Sequence, residues 1–495
     1  MDGGLYIGID LGTTSVKVGV FDDSGAAVAF ASREFELDTP EPGFAEFHAD
    51  GYIGCAFDGV REVLADGGAD GASVRAIGLS SQAQTFVLVG EGGSPVRPAV
   101  GWLDVRAGEE AGELSEISRG LGGGEVNAIA SAPKLLWLRR REPEALERAE
   151  RVLLIPDYLI WRLTGRAATD PITAGSTHLM DRETLKWRGP LLDACGLAPG
   201  MMPDVLAPGE AAGPLTAAAA GELGLGAGVV VAVGTNDQSA GMLGAGNVTP
   251  GCASVTLGTA LAIMLTTDSR EGAAPGVGVA PHPAGGGLWS RLAYAKTAGI
   301  VLRWFRDNFA PGSSYEELFE EIGSVPAGSD GVSCLPHFSG TATPEFNPSV
   351  RGAFSGLTLS HGRAHLARAL VESLAFTVRE NVELLAAGGG GAGGGEAVAE
   401  LRAVGGGARS DVWLQMISDC TGVPVERPRA REAACLGAAE LAMVAAGRFG
   451  SVAEAATGLY APDKRFGPDP SGRAAYDEAF GRYRGLYAKL YGGKE

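Results

Sequence analysis

The sequence predicts an α/β protein made of two copies of one fold, and three observations carry that prediction. Short apolar runs alternate with longer stretches of helical spacing, the pattern of strands layered against helices. A strand, a Leu-Gly-Thr turn and a returning strand occur at Ile7 to Asp22 and again at Ala253 to Leu265, about half the chain apart. At 495 residues the chain is also too long for one ordinary core. The reading is two domains, residues 1–246 and 247–495, each with one such turn, the turns facing each other across a cleft.

The first hairpin is the most informative stretch. Ile7-Gly8-Ile9-Asp10 reads as a buried strand, Leu11-Gly12-Thr13-Thr14-Ser15 as a tight turn, and Val16 to Asp22 as its return. Gly12 allows backbone N–H groups to approach a ligand closely, and Thr13, Thr14 and Ser15 add hydroxyl donors. Converging N–H and O–H groups suit a phosphate. Asp10, at the strand end, stands where a hydrated Mg²⁺ bridges phosphate oxygens. An ordinary hairpin explains this stretch equally well by itself; the copy at Leu257-Gly258-Thr259 favours the phosphate reading.

The elements follow in order. A third strand spans Ala27 to Phe35, and Ile53 to Leu64 has helical spacing. Val74 to Ser80 is a strand ending in the polar loop Ser81-Gln82-Ala83-Gln84-Thr85, and Phe86 to Val89 continues as strand. Trp102-Leu103-Asp104-Val105-Arg106 precedes a Glu-rich helix, and Ala132-Pro133-Lys134 opens another, with Pro in its first turn. Pro156 to Thr164 is a helix closed by Gly165. Gly226 to Val233 leads into a short buried strand that Gly234-Thr235-Asn236-Asp237-Gln238 leaves, and a small-residue helix follows. In the second half, Ala298-Gly299 starts a helix, and the longest helix is read at Arg363 to Leu385. Its stripe of Leu366, Leu370, Leu374, Val378, Val382 and Leu385 is core. Leu401 to Val404 runs as a strand into Gly405-Gly406-Gly407, a helix follows to Cys420, and Ala433 to Ala446 is helical. The amphipathic tail from Ser471 to Leu490 packs as a cap.

Bulk properties exclude several classes. A formal net charge of −19 argues against nucleic acid, while a nucleotide remains allowed because amides and Mg²⁺ can carry phosphate charge. The six scattered cysteines form no Cys-x-x-Cys and fit a reducing, cytoplasmic setting. Met1-Asp2-Gly3-Gly4 lacks the basic start of a signal peptide, and no apolar run of about 18 residues predicts a membrane span. Gly388 to Gly395 reads as a surface insertion without chemistry. There is no Gly-x-x-x-x-Gly-Lys-Ser/Thr, so a P-loop is excluded. His361 and His365 have zinc-ligand spacing but no third ligand and read as surface residues.

Asp237 is the carboxylate on which chemistry is expected. It leaves a buried strand where a helix begins, the usual ligand position in an open α/β sheet. Asn236 or Asp237 could equally cap that helix; the two flanking turns favour the ligand reading. Gly405-Gly406-Gly407 lets a flat base lie against the backbone, with a plain flexible turn as the alternative, and Gly299 is a weaker nucleotide candidate.

Gly8-Ile9-Asp10-Leu11-Gly12-Thr13-Thr14-Ser15, the Gln82 loop, Trp102-x-Asp104, Asp237, Gly258-Thr259 and Gly405 to Ser410 come in the order of the FGGY carbohydrate kinases. Arg351-Gly352-Ala353-Phe354-Ser355-Gly356-Leu357-Thr358 through His365 to Ala369 resembles that family's second signature, and the chain is most similar to its xylulokinase-like branch. The resemblance spans essentially the whole chain. It implies an actin-like ATPase (ribonuclease H-like) fold, with the sugar in the first domain and the adenine in the second. By the same resemblance Asp237 is similar to the catalytic base and Asp10 to the Mg²⁺-linked aspartate. Gly12, Thr13, Thr14, Gly258 and Thr259 match the phosphate turns, and Gly299, Gly406, Gly407 and Ala408 the nucleotide loop. Gln82, Ala83, Gln84, Trp102, Asp104, Asp237 and Gln238 match the acceptor site.

The expected activity is transfer of the ATP γ-phosphate to a hydroxyl of a ketopentose such as xylulose, with Mg²⁺. The acceptor loop departs from the branch: Gln82-Ala83-Gln84-Thr85 stands where xylulokinases carry Gln-Met-His-Gly, and Gln238 is closer to the glycerol kinase form. Another polyol or deoxy sugar, or a nucleotide sensor without catalysis, therefore stay open, as does a homodimer. An ordinary aspartate has a pKa of about 3.9, so Asp237 is expected to be ionised at pH 7 and a weak base.

Overall fold

The computed structural model describes residues 3–66, 69–387 and 397–492; the glycine-rich stretch 388–395 lies outside them. The chain divides into two compact units. The first comprises the chain up to Gly246 together with Ala280–Gly286 and Ala434–Leu459, and the second comprises the remainder.

The units repeat one strand plan. In the first, Leu5–Leu11 pairs antiparallel with Ser15–Asp22, which pairs antiparallel with Ala27–Glu34. On its other side Leu5–Leu11 runs parallel to Val74–Ser81, that strand parallel to Val230–Ala232, and the last antiparallel to Ala211–Pro214. In the second unit Cys252–Leu257 pairs antiparallel with Leu261–Thr267, and that with Trp289–Ala295. Parallel partners Glu400–Val404 and Val425–Pro428 follow on the other side, then antiparallel Pro462–Phe466. The order of antiparallel and parallel pairings is the same in both, so the repeated Leu-Gly-Thr motif marks a duplicated sheet.

Alternation along the strands divides their faces. Ile7, Ile9 and Leu11 enter a core with Ile53, Phe57 and Val60 of helix Ala49–Asp66. Gly8 and Gly78 point the other way, towards helix Ala433–Ala445. A β-carbon on Gly8 would lie 1.9 Å from the Cys435 carbonyl oxygen, and one on Gly78 1.9 Å from that of Ala438. Glycine on the strands is what lets this small-residue helix lie against the sheet backbone.

The first unit carries an inserted four-stranded sheet of Glu46–Phe47, Ala99–Val100, Phe86–Gly90 and Ala149–Leu154, with its own apolar core. In the second unit the long helix runs from Arg363 to Ala387, and Leu370, Leu374, Val378, Val382 and Leu385 of the predicted stripe are buried. Burying each such side chain contributes on the order of 1.5–3 kcal/mol. The tail helix Arg473–Tyr491 buries Tyr476, Ala479, Phe480 and Tyr483 at helical spacing in the same core.

The six cysteines, all among the described residues, form no disulfide. Among the described residues no helix is long and apolar enough to cross a membrane.

Candidate functional site

In the first unit the chemistry gathers at the ends of the central strands. The turn after Leu5–Leu11 is closed by Gly12 N–H donating to Ser15 O at 3.0 Å, with Thr13 partly buried and Thr14 exposed. Asp10 is the last polar residue before the turn, and its Oδ1 accepts a hydrogen bond from Ser80 Oγ at 2.7 Å. Register explains the contact, because Asp10 lies opposite Ser80 in the parallel ladder.

Asp237 opens helix Asp237–Gly244, but Asn236 is the cap: its Oδ1 accepts from Ser239 N–H at 2.9 Å. The carboxylate of Asp237 is thereby released from the capping role, although its Oδ1 still accepts from the Gln238 N–H at 2.8 Å. Its acidity differs from the sequence expectation. Burial, and next the charge of Asp10, push Asp237 up to about 7, against a smaller opposing pull from hydrogen bonds with Gln238. A carboxylate so placed is a stronger base than an ordinary aspartate. Gln238 Oε1 is buried beside it without a hydrogen-bond partner.

The Gln82 loop separates into two roles. Gln82, expected to face a substrate, is 4% exposed. Its side-chain amide lies 3.4 Å from Gly12 O and 3.3 Å from the Tyr52 hydroxyl, so it secures the turn. Ala83 and Gln84 are the partly exposed members. Gln84 holds φ at +60°, a left-handed conformation unusual for a residue with a side chain, and its carbonyl accepts from Ser131 Oγ at 3.1 Å. Strain of this kind concentrates at ligand sites.

Asp104 also differs from its expected place. It is fully buried and its carboxylate is saturated: Oδ2 accepts from Ala45 N–H at 2.7 Å, and both oxygens accept from the Arg106 guanidinium. Arg106 in turn stacks over Phe44 at 3.6 Å. Asp104 therefore holds the loop that presents Trp102 and leaves no oxygen for a ligand. Lys134 Nζ donates to Gly101 O at 2.8 Å in the same loop, and burial draws it down to about 7. Sequence reasoning missed Tyr52, Arg106 and Lys134 as supports; the Trp-x-Asp-x-Arg spacing was the available signal for Arg106.

In the second unit the expected nucleotide residues come together. A cavity of about 680 Å³ is lined by Gly258, Thr259, Gly299, Gly406 and Gly407, with apolar walls from Leu257, Ile300, Phe319 and Trp413. Ala408 is buried at 4% exposure beside this lining. Gly299 N–H donates to Gly258 O at 2.9 Å, which seats the start of helix Gly299–Phe309 against the turn. A β-carbon on Gly407 would meet Trp413 Cζ3 at 2.5 Å, so only glycine lets the loop lie flat on the indole. Helix Tyr315–Ser324 supplies Tyr315, Glu316, Phe319 and Glu320 to the wall. The sequence reading passed over this helix, although its capping box, Ser314 with Glu317, was a legible start signal.

Among the described residues no group of three or more His, Cys, Asp or Glu side chains could hold a metal. Asp10 with Asp237 nearby still fits Mg²⁺, which takes one or two protein carboxylates and completes its shell with water and substrate phosphates. His361 Nδ1 accepts from Thr358 N–H at 3.0 Å and His365 lies 3.3 Å from Asp330, so both serve the loop before the long helix.

Comparison with known proteins agrees with this geometry. The N-terminal domain of the FGGY family of carbohydrate kinases matches residues 5–244, and the C-terminal domain of that family matches residues 253–446. The chain belongs to the FGGY family of carbohydrate kinases, enzymes of actin-like ATPase fold that use ATP as phosphoryl donor. It is 27% identical over 490 residues to a xylulose kinase of Bacillus subtilis, covering 97% of this chain and 96% of the relative. It is 32% identical over 509 residues to a glycerol kinase of Chromobacterium violaceum, with the same coverage. Among solved structures, one described as a xyloylose kinase from Brucella ovis superposes with a TM-score of 0.88 at 32% identity, covering 99% of both chains.

Proposed function

We propose that this carbohydrate kinase transfers the γ-phosphate of ATP to a primary hydroxyl of a ketopentose or a closely related polyol, with Mg²⁺ at Asp10. The observation that carries the reading is Asp237: a carboxylate freed from capping, raised to about 7, and set beside Asp10. In the transfer, the acceptor oxygen bonds to the γ-phosphorus as the bond to the β,γ-bridging oxygen breaks and ADP leaves. The hydroxyl proton passes to Asp237. Positioning and charge neutralisation dominate such reactions, so the residues around the carboxylate matter as much as its basicity.

In the second unit the cavity walled by Ile300, Phe319 and Trp413 suits the base, and Thr259 offers donors to phosphate oxygens on the turn that the Gly258 N–H closes onto Ala260 O. In the first, Thr13 and Thr14 offer donors on the turn that the Gly12 N–H closes, Asp10 would hold a hydrated cation, and Mg²⁺ when bound would offset phosphate charge. Gln84, strained and partly exposed, and Gln238, with a buried unpartnered oxygen, are the groups that read acceptor hydroxyls. Trp102 forms an apolar wall beside them.

A coupled ADP-release assay tests the reading with D-xylulose, D-ribulose, L-ribulose, L-xylulose, glycerol, erythritol and no acceptor. A response to one ketopentose supports it. Preference for glycerol or erythritol would move the acceptor to the polyol class, in keeping with the glycerol kinase relative and with Gln238. ATP binding with no turnover on any acceptor would overturn it.

A further inference from the structure

The first turn is held from outside its own hairpin by three side chains. Tyr52 donates its hydroxyl to Gly12 O at 2.7 Å, and the Gln82 amide approaches the same oxygen. The third is Trp102, whose Nε1–H donates to Thr13 Oγ1 at 2.9 Å across 89 positions of sequence. Trp102 is itself fixed at both ends of its peptide unit. Its N–H donates to Thr85 Oγ1 at 3.1 Å, and Lys134 Nζ lies 2.8 Å from Gly101 O and 3.5 Å from Trp102 O.

The chemistry of these groups gives the contact a direction. An indole N–H can only donate, so Thr13 must accept. A hydroxyl oxygen has one proton and two lone pairs. Once a lone pair is held by Trp102, the Thr13 proton is free for a further acceptor, and its rotation is restricted to positions away from the indole. A donor fixed before the reaction costs no reorganisation when charge develops on a phosphoryl oxygen.

We propose that Trp102 is a positioning residue that sets the Thr13 hydroxyl as a donor to the transferred phosphoryl group, so that the loop seating the acceptor also tunes the phosphate turn. The proposal rests on the kinase reading above. It predicts that the indole N–H acts on the rate of transfer, whereas an apolar wall alone would act on acceptor binding.

Trp102→Phe keeps an aromatic wall and removes the N–H. With the preferred acceptor, kcat falls about tenfold, the loss expected for one hydrogen bond to a charged group, while the acceptor KM changes by less than about threefold. Thr13→Val, nearly isosteric and a safeguard should the tryptophan variant fold poorly, lowers kcat by at least as much, and Thr13→Ser restores it. The double variant Trp102→Phe with Thr13→Val is no slower than Thr13→Val alone, because both remove one interaction. A raised acceptor KM with unchanged kcat in Trp102→Phe, full activity in Thr13→Val, or independent multiplication of the two losses would overturn the proposal. A wild-type protein that phosphorylates no acceptor would instead overturn the kinase reading, and this proposal with it.

Discussion

The carbonyl oxygen of Cys435 stands 1.9 Å from where a β-carbon on Gly8 would be. Both atoms that would collide belong to regular elements, a central strand and helix Ala433–Ala445, so neither can turn aside as a side chain could. Gly8→Ala is therefore expected to destabilise the protein by about 3 kcal/mol, the upper range for overpacking. Urea unfolding followed by circular dichroism measures it. An unchanged midpoint would show that the helix lies farther from the sheet.

Asp237→Ala removes the proposed proton acceptor. Turnover should fall by about 10²–10⁴-fold, the usual contribution of a general base. ADP affinity measured by calorimetry should stay within a few-fold of wild type. Near-normal kcat in the variant would remove Asp237 from the mechanism.

The pH profile follows from the same residue. Asp237 accepts a proton only when ionised, and its pKa is raised to about 7, so activity should fall as pH drops through that value. Without Mg²⁺ the charge of Asp10 is one cause of the rise; Asp10→Asn removes it and should move the titration of the Asp237 carboxyl, followed by NMR in the metal-free protein, to lower pH. A titration that stays in place would show that burial alone sets it.

Glu440 is fully buried with neither carboxylate oxygen hydrogen-bonded. Burial raises its pKa well above the ordinary value, so the folded state holds a proton that the unfolded chain releases above about 4.3. Its contribution to stability thus declines as pH rises from that value towards the raised one. Glu440→Met should stabilise the protein by roughly 1–3 kcal/mol, more at pH 8 than at pH 5, as read from Tm at both pH values. A lower Tm at pH 8 would mean that the carboxyl is satisfied in solution.

Gly407→Val would drive a side chain into Trp413 and Leu257, whose atoms lie 2.5 and 2.8 Å from the added β-carbon. ADP affinity should drop at least about tenfold, or ~1.4 kcal/mol. Unchanged ADP affinity in calorimetry would place the base elsewhere.

Much of this protein was determined by sequence alone. The repeated Leu-Gly-Thr hairpins announced the duplicated sheet, because strand alternation and turn residues are local properties. Gly406 and Gly407 were legible as nucleotide candidates through the family resemblance, because a glycine loop between strand and helix is explained as well by a flexible turn, and Gly299 was the weaker candidate. What only tertiary structure decided was the division of labour among polar residues. Gln82 and Asp104 looked like ligand groups, yet one fastens Gly12 and the other is saturated by Ala45 and Arg106. Tyr52 carried no signal and Trp102 matched the acceptor site, yet both hold the turn. The acidity of Asp237 also depended on burial and on Asp10, a residue 227 positions away in the chain but close enough in the fold for its charge to be felt. Hydrogen-bond partners and desolvation are set by residues distant in sequence, so no local pattern encodes them.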